Sequence, residues 1–306
     1  MAKIAFVFPG QGSQKIGMGK DAFDGNAASR AAFEEADAAL GESLSGLCFD
    51  GPEEALRLTA NTQPALVATS IALLRAFGVE PHGVAGHSLG EYSANVAAGA
   101  LAFADAVRVV RKRGTYMQEA VPVGAGAMAA VMGGDRASIE ALCESTPGVV
   151  EPVNYNCPGQ VVVAGEAAAV AAFVANLSSI SAKGIPLNVS APFHSSLMRP
   201  AEARLSPGLD ALVFSDPRLP VYTNVDASPV TNGDDARDAL RRQVSRAVRW
   251  DDSIARMLAD GFTHFVEIGP GKVLTGLIGR ISKDTVRLNV QSLADVQAVR
   301  EALAGV

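Results

Sequence analysis

Gly83-Val84-Ala85-Gly86-His87-Ser88-Leu89-Gly90-Glu91 joins a short apolar run to a segment, Glu91 to Ala98, whose residues suit a helix. A strand, a serine between two glycines and then a helix make the G-x-S-x-G elbow, in which the glycines permit a turn sharp enough to lift the serine oxygen clear of the backbone. That oxygen then sits at a helix N-terminus, where free amides and the helix dipole favour a developing oxyanion. Ser88 is therefore a candidate nucleophile. The competing reading is an ordinary glycine-rich turn, because short Gly/Ser patterns arise by chance in a chain with 30 glycines.

On both sides of the elbow, strand-like runs alternate with helix-length segments. Ile4 to Phe8 reads as a strand, Ala27 to Leu40 and Gln63 to Phe77 as helices, and Gly83 to Ala85 as the strand before the elbow. This is the pattern of a parallel α/β sheet. Between Met128 and Val189 the order changes to strand (Met128 to Met132), helix (Arg136 to Glu144), strand (Val149 to Asn154), strand (Gln160 to Gly165), helix (Ala167 to Ile180) and strand (Ile185 to Val189). That βαββαβ order is ferredoxin-like. It enters through Gly124-Ala125-Gly126 and leaves through Ala191-Pro192, which predicts a small domain at 126–190 inserted into a large one formed by 1–125 and 191–306, with a cleft between them. The α/β pattern then resumes with a strand at Val221 to Val225, a helix around Asp235 to Arg246, the segment Ser253 to Leu258, a strand at Thr263 to Ile268, a helix after Gly271, a strand at Val286 to Val290 and a last helix.

A chain of 306 residues, 48% hydrophobic and 19% charged, has the makings of a large buried core. Its net charge of −6 disfavours a general nucleic-acid binder. Cys48, Cys143 and Cys157 are odd in number and lack metal-ligand spacing, so the expectation is a reducing, cytoplasmic setting without disulfides or a metal. The run Ile4 to Phe8 is too short for a signal peptide, and no apolar run approaches the roughly 18 residues of a membrane span.

A serine needs a base, and four histidines are available. His87 adjoins Ser88 and suits a role in shaping the turn, while His82, beside Pro81, reads as solvated. His264 is late enough to complete the Ser, Asp, His order of an α/β-hydrolase, and His194, in Ala191-Pro192-Phe193-His194-Ser195-Ser196, sits on a loop able to overhang the cleft. Residue patterning favours His194 and leaves His264 open. Arg113 is a second clue: on a helix from Asp105 to Gln118 it falls on the same face as Ala106, Val109, Val110 and Met117, whereas Arg108 and Arg111 point away. An inward arginine needs an anionic partner, which is either a protein carboxylate or a substrate carboxylate held by the guanidinium fork. The first strand ends in Pro9-Gly10-Gln11-Gly12-Ser13-Gln14, where Lys15 replaces the third glycine of a dinucleotide motif; Gly269-Pro270-Gly271-Lys272 lacks the first glycine of a P-loop.

Over essentially its whole length the chain resembles the malonyl-CoA:acyl carrier protein transacylases of fatty acid synthesis. The resemblance rests on Phe8-Pro9-Gly10-Gln11-Gly12-Ser13-Gln14, Gly86-His87-Ser88-Leu89-Gly90-Glu91-Tyr92-Ser93, Arg113-Gly114-Thr115-Tyr116-Met117, Val153-Asn154-Tyr155-Asn156-Cys157-Pro158-Gly159-Gln160, Pro192-Phe193-His194-Ser195-Ser196-Leu197-Met198 and Glu267-Ile268-Gly269-Pro270-Gly271-Lys272-Val273-Leu274. It implies a large α/β-hydrolase-like domain carrying the small ferredoxin-like one. It also implies Ser88 as nucleophile, His194 as base, Arg113 as carboxylate clamp, and the backbone amides of Gln11 and Leu89 as the oxyanion hole. The base would be oriented by the main chain of Gln243 instead of an aspartate, in a pocket with Met117, Phe193, His87, Asn154 and Asn156. A phenylalanine at position 193 resembles the malonyl-selective pattern of related polyketide acyltransferases.

The implied partners are malonyl-CoA and an acyl carrier protein, with no nucleic acid or membrane; the protein is expected to be a monomer, to have CoA only as the carrier of its substrate and to need no cofactor. An acidic carrier would meet Lys183, Arg199, Arg241, Arg242 and Arg246. The alternatives are a trans-acting malonyltransferase of a polyketide synthase, a carboxylesterase built on Ser88, Asp226 and His264, and a non-catalytic carrier-binding subunit.

Overall fold

The computed structural model describes residues 2–189 and 191–305. Met1, Ser190 and Val306, and with them one end of each of the spans 1–125, 126–190 and 191–306, lie outside the described residues. In chain order the strands are β1 (Lys3–Phe8), β2 (Gly83–Gly86), β3 (Gly126–Gly133), β4 (Val150–Cys157), β5 (Gln160–Glu166), β6 (Ala182–Pro186), β7 (Val221–Tyr222), β8 (Pro229–Val230), β9 (Val248–Arg249), β10 (Phe262–Ile268) and β11 (Val286–Val290). They form two sheets. The larger runs β11-β10-β1-β2-β7-β8 and is parallel except for the last pair. Phe6, Phe8, Val84, Val266 and Ile268 pack one of its faces, while Ala5, Val7, Ala85 and Phe265 pack the other. Burial of both faces is what permits an all-parallel centre.

The smaller sheet runs β6-β3-β5-β4-β9, and the order from β3 to β6, with helices Arg136–Ser145 and Ala167–Asn176, is βαββαβ. Its fifth strand comes from beyond the 126–190 span: β9 pairs in parallel with β4, Asn154 opposite Val248 and Tyr155 opposite Arg249. The chain crosses itself at the entry and exit of the insertion, where a Cβ on Gly126 would lie 2.4 Å from Pro192.

Three sequence expectations are displaced in ways that matter for the site. The last strand of the insertion is Ala182–Pro186, not Ile185 to Val189; the Leu187 N–H still reaches Met128 O at 2.9 Å, but the Val189 N–H turns back to Leu187 O at 3.0 Å, and both side chains line a cavity. The expected strand Val221 to Val225 stops at Tyr222, since Thr223 turns the chain (Ala227 N–H to Thr223 O, 3.1 Å) and the Asn224 N–H turns to Glu91 Oε2 at 2.9 Å. The helix expected to reach Arg246 ends at Arg242 and tightens into a single 3₁₀ turn, Gln243–Ser245.

Candidate active site

At the end of β2 the two glycines of the elbow are required by contact. A Cβ on Gly86 would sit 1.9 Å from the Gly90 carbonyl carbon, and one on Gly90 would sit 2.0 Å from Phe8 O. Ser88 is thereby forced to φ 49°, with helix Gly90–Ala97 beginning two residues later. Its own N–H is taken by Asn224 Oδ1 at 2.7 Å. The N–H groups of Leu89 and Gln11, by contrast, have no protein acceptor among the described residues, and both residues line the same cavity as Ser88.

His194 is brought to Ser88 by the loop that follows the insertion. Its Nε2 lies 2.7 Å from Ser88 Oγ and its Nδ1 2.7 Å from Gln243 O. The 3₁₀ turn supplies that acceptor, since the carbonyls of the last helical turn are left without intrahelical partners. A carbonyl at Nδ1 places the proton there and leaves Nε2 as the acceptor for the serine hydroxyl. His194 itself adopts φ 65°. Burial holds its pKa down to about 3, with the Arg113 charge adding to the depression and the Gln243 carbonyl opposing it. The imidazole is therefore neutral in the resting protein.

Arg113 lies on helix Phe103–Glu119 and is 1% exposed, beside Ala106, Val109, Val110 and Met117. The neighbouring Gly114 lets this helix touch helix Thr59–Phe77, for a Cβ there would meet Thr59 O at 2.5 Å. That approach sets Arg113 Nη1 2.9 Å from Gln63 Oε1; Nη2 lies 2.9 Å from Gln243 Oε1 and 3.3 Å from Ser88 Oγ. No protein carboxylate forms a salt bridge with it among the described residues, although the charge of buried Glu91 acts on it across the Gln243 amide. Arg108 and Arg111 turn outward to Asp105 and Glu42.

These groups border a cavity of about 130 Å³ that is also lined by Gln63, His87, Met117, Met128, Asn154, Leu187, Val189 and Phe193. Asn156 stands behind it, its Oδ1 2.9 Å from His87 Nε2, and borders an adjoining cavity of about 230 Å³. His87 is lowered by burial and packs at 5.7 Å from the Trp250 ring.

The alternative triad is not assembled. Asp226 is bound to Arg242 through both carboxylate oxygens, at 2.8 and 2.7 Å. His264 pairs with Ile4 at the start of β1, whereas Ser88 follows the opposite end of the sheet, where Phe8 pairs with Gly86. The expected basic patch also shrinks. Arg241 and Arg242 are engaged by Asp210, Asp226 and Asp238, while Arg199 and Arg246 border a shallow depression without a salt-bridge partner among the described residues.

Glu91, Gln63 and Asn224 carry the support of the site without having stood out in the sequence. Only Asn224 left a trace, as a polar residue inside an apolar run read as a strand. Glu267, which heads the C-terminal motif, is structural. Its carboxylate accepts the Leu274 and Thr275 N–H groups at 3.1 and 2.7 Å and caps helix Val273–Ile281.

Fold and site together define an α/β acyltransferase. The chain belongs to the acyl transferase domain family, which matches residues 5–300. It is 49% identical over 310 residues to the malonyl CoA-acyl carrier protein transacylase of Escherichia coli (strain K12), covering 99% of both chains. It is 47% identical over 310 residues to the protein of the same name from Bacillus subtilis (strain 168), covering 99% of this chain and 97% of that one. A solved complex of a type II PKS acyl-carrier protein with its malonyl-transacylase superposes with a TM-score of 0.95 at 42% identity, covering 98% of this chain and 100% of that chain.

Proposed function

We propose that this protein transfers the malonyl group of malonyl-CoA to the phosphopantetheine thiol of an acyl carrier protein through a malonyl ester on Ser88. The observation that carries the reading is the guanidinium of Arg113, fully buried, set beside the nucleophile's oxygen and answered by amides instead of an acid. A buried charge without a salt-bridge partner is costly, and a malonyl thioester brings a carboxylate at a fixed distance from its reacting carbonyl. The names of the relatives point the same way.

With the carboxylate on Arg113, Ser88 Oγ attacks the thioester carbonyl as His194 Nε2 takes the hydroxyl proton. The oxyanion faces the N–H groups of Gln11 and Leu89. Collapse breaks the C–S bond, the imidazolium returns its proton to the departing CoA thiolate, and the malonyl ester remains. The carrier's thiol then attacks that ester, giving its proton to His194, which passes it to Ser88 Oγ as the serine leaves. Gln243 holds the imidazole through its main-chain oxygen, so no aspartate is needed. Met117, Phe193, His87 and Asn154 shape the acyl cavity and Asn156 steadies His87. CoA enters as the substrate's carrier, and every step runs on these side chains.

The division into 1–125 with 191–306 and 126–190 accounts for the position of the cleft between the two sheets. Three free, buried cysteines are in keeping with a reducing cytoplasm, and among the described residues no helix is long and apolar enough to cross a membrane. We assign the working form to a monomer, since every group in the scheme comes from one chain. Docking of the acidic carrier falls to Arg199 and Arg246. The polyketide alternative keeps its place because the solved complex pairs its transacylase with such a carrier.

The test is intact mass spectrometry. Malonyl-CoA should add one malonyl group at Ser88, and a fatty-acid or a polyketide carrier protein should remove it and gain the same mass. No adduct on Ser88 would refute the scheme, and the faster carrier would name the physiological class.

A further inference from the structure

Glu91 is wholly buried one turn beyond the nucleophile, and acyl transfer through Ser88 makes no use of it. Its Oε2 accepts the Asn224 N–H at 2.9 Å and the Gln243 Nε2–H at 2.7 Å, while Oε1 has no partner among the described residues. The Gln243 amide thus bridges an anion and a cation: its nitrogen faces Glu91 and its oxygen faces Arg113 Nη2 at 2.9 Å. The same nitrogen reaches Ser88 O at 2.9 Å, and Asn224 Oδ1 holds the Ser88 N–H.

An amide has two ends of similar shape, and only its hydrogen-bond partners decide which way round it sits. Were the Gln243 amide turned about, its NH₂ would confront the N–H of Arg113 and its oxygen would confront a carboxylate. Both contacts would be repulsive. Burial pushes Glu91 up to about 7, opposed by the hydrogen bonds from Asn224 and Gln243 and by the Arg113 charge. Even when a proton rides on the unpartnered Oε1, Oε2 keeps both of its donors.

We infer that Glu91 is a positioning residue for substrate selection: by fixing the Gln243 amide with its oxygen toward Arg113, it aims the guanidinium at the acyl cavity and so favours donors that carry a free carboxylate. This rests on the malonyl reading above. Glu91 touches neither substrate nor the reacting atoms, so its effect should appear in the choice between donors more than in the chemistry they share.

The experiment measures single-turnover loading of Ser88 by malonyl-CoA and by acetyl-CoA in full-length Glu91→Gln, Glu91→Asp and Gln243→Ala variants and in the Glu91→Asp/Gln243→Ala double variant. Glu91→Gln keeps the reach and the acceptor oxygen, and its malonyl-to-acetyl ratio should stay within about threefold of the parent protein. Glu91→Asp keeps the charge but withdraws the oxygen by one methylene, and its ratio should fall about tenfold. A residue acting only through Gln243 loses its influence once that side chain is gone, so the double variant should match Gln243→Ala. A ratio that falls in Glu91→Gln and holds in Glu91→Asp would overturn the inference in favour of bare charge, as would equal losses for both donors or additive losses in the double variant. Failure of the parent protein to load malonyl at all would instead refute the reading on which the inference stands.

Discussion

Replacing Arg113 by alanine should separate malonyl from acetyl loading, and the size of the separation follows from the donors the arginine has to offer. A guanidinium carries five N–H groups. In the resting site one is spent on Gln63 and one on Gln243, and a third makes a long 3.3 Å contact with Ser88 Oγ. Nε has no partner among the described residues, and a second N–H of Nη1 is also free. A guanidinium grips a carboxylate through two parallel N–H groups on one edge, and the Nη2 N–H that makes only the long contact with Ser88 Oγ is placed to join such a grip. Charge-assisted hydrogen bonds contribute about 1.5–3 kcal/mol each, so two are worth about 3–6 kcal/mol, or roughly 10²- to 10⁴-fold in rate. Acetyl-CoA has no carboxylate to lose, and its loading should drop by less than about tenfold, chiefly through the two glutamine oxygens left unpartnered. Arg113→Lys, with the charge but not the fork, should fall between parent and alanine. Rapid-quench loading with each CoA ester, read by intact mass, measures both rates on one preparation, with a melting midpoint to verify folding. Losses of equal size for the two esters would remove the carboxylate clamp from the mechanism.

The rate profile with pH follows from the buried base. With His194 held down to about 3 in the free protein, kcat/KM for malonyl loading should stay flat from neutrality down to about pH 5, where an ordinary imidazole would already be protonated. A carboxylate on Arg113 cancels one of the two main depressing influences, so the acid limb of kcat should lie at higher pH than that of kcat/KM; coincident limbs near 6.5 would contradict this. Gly86→Ala sets a Cβ 1.9 Å from backbone and should cost more than about 3 kcal/mol in chemical denaturation, or prevent folding outright. Phe193→Ser opens the wall of the acyl cavity and should raise methylmalonyl relative to malonyl loading by about 10- to 100-fold, one methyl being worth roughly 1–3 kcal/mol; an unchanged ratio in competition assays would take Phe193 out of selectivity.

What could be read in advance followed the range of the interaction concerned. The elbow is local: Gly86 and Gly90 are demanded by atoms within a few residues or on the adjacent β1, and the pentapeptide advertised it. Arg113 was equally legible, because a helical period of 3.6 residues tells which face is inward without reference to anything else. The choice between His194 and His264 was tilted toward His194 by residue patterning but not decided by it. It depends on which end of a parallel sheet each approaches, and the resemblance to known transacylases carried that step before the register of β1 with β10 placed His264 at the wrong end. Gln63, Glu91 and Asn224 work across separations of 50 to 152 residues, and nothing in their immediate neighbours signals it. The last strand of the insertion was read three residues late because Leu187 and Val189 are apolar for the cavity's sake. β8 and β9, at two residues each, leave no periodicity to read.

The two-residue strand β9 has a mechanical consequence. It is hydrogen-bonded to β4 in one sheet, and Arg249 N–H reaches Asn224 O at 2.9 Å in the segment that follows the other. Only two residues separate it from the turn whose carbonyl steadies the imidazole. Like a rivet through two plates, it opposes any rocking of one half against the other, for such a movement would drag the Gln243 oxygen off His194. Ser88, His194 and the cavity wall at Leu187, Val189 and Phe193 are thereby kept in one register from one half of the cycle to the next.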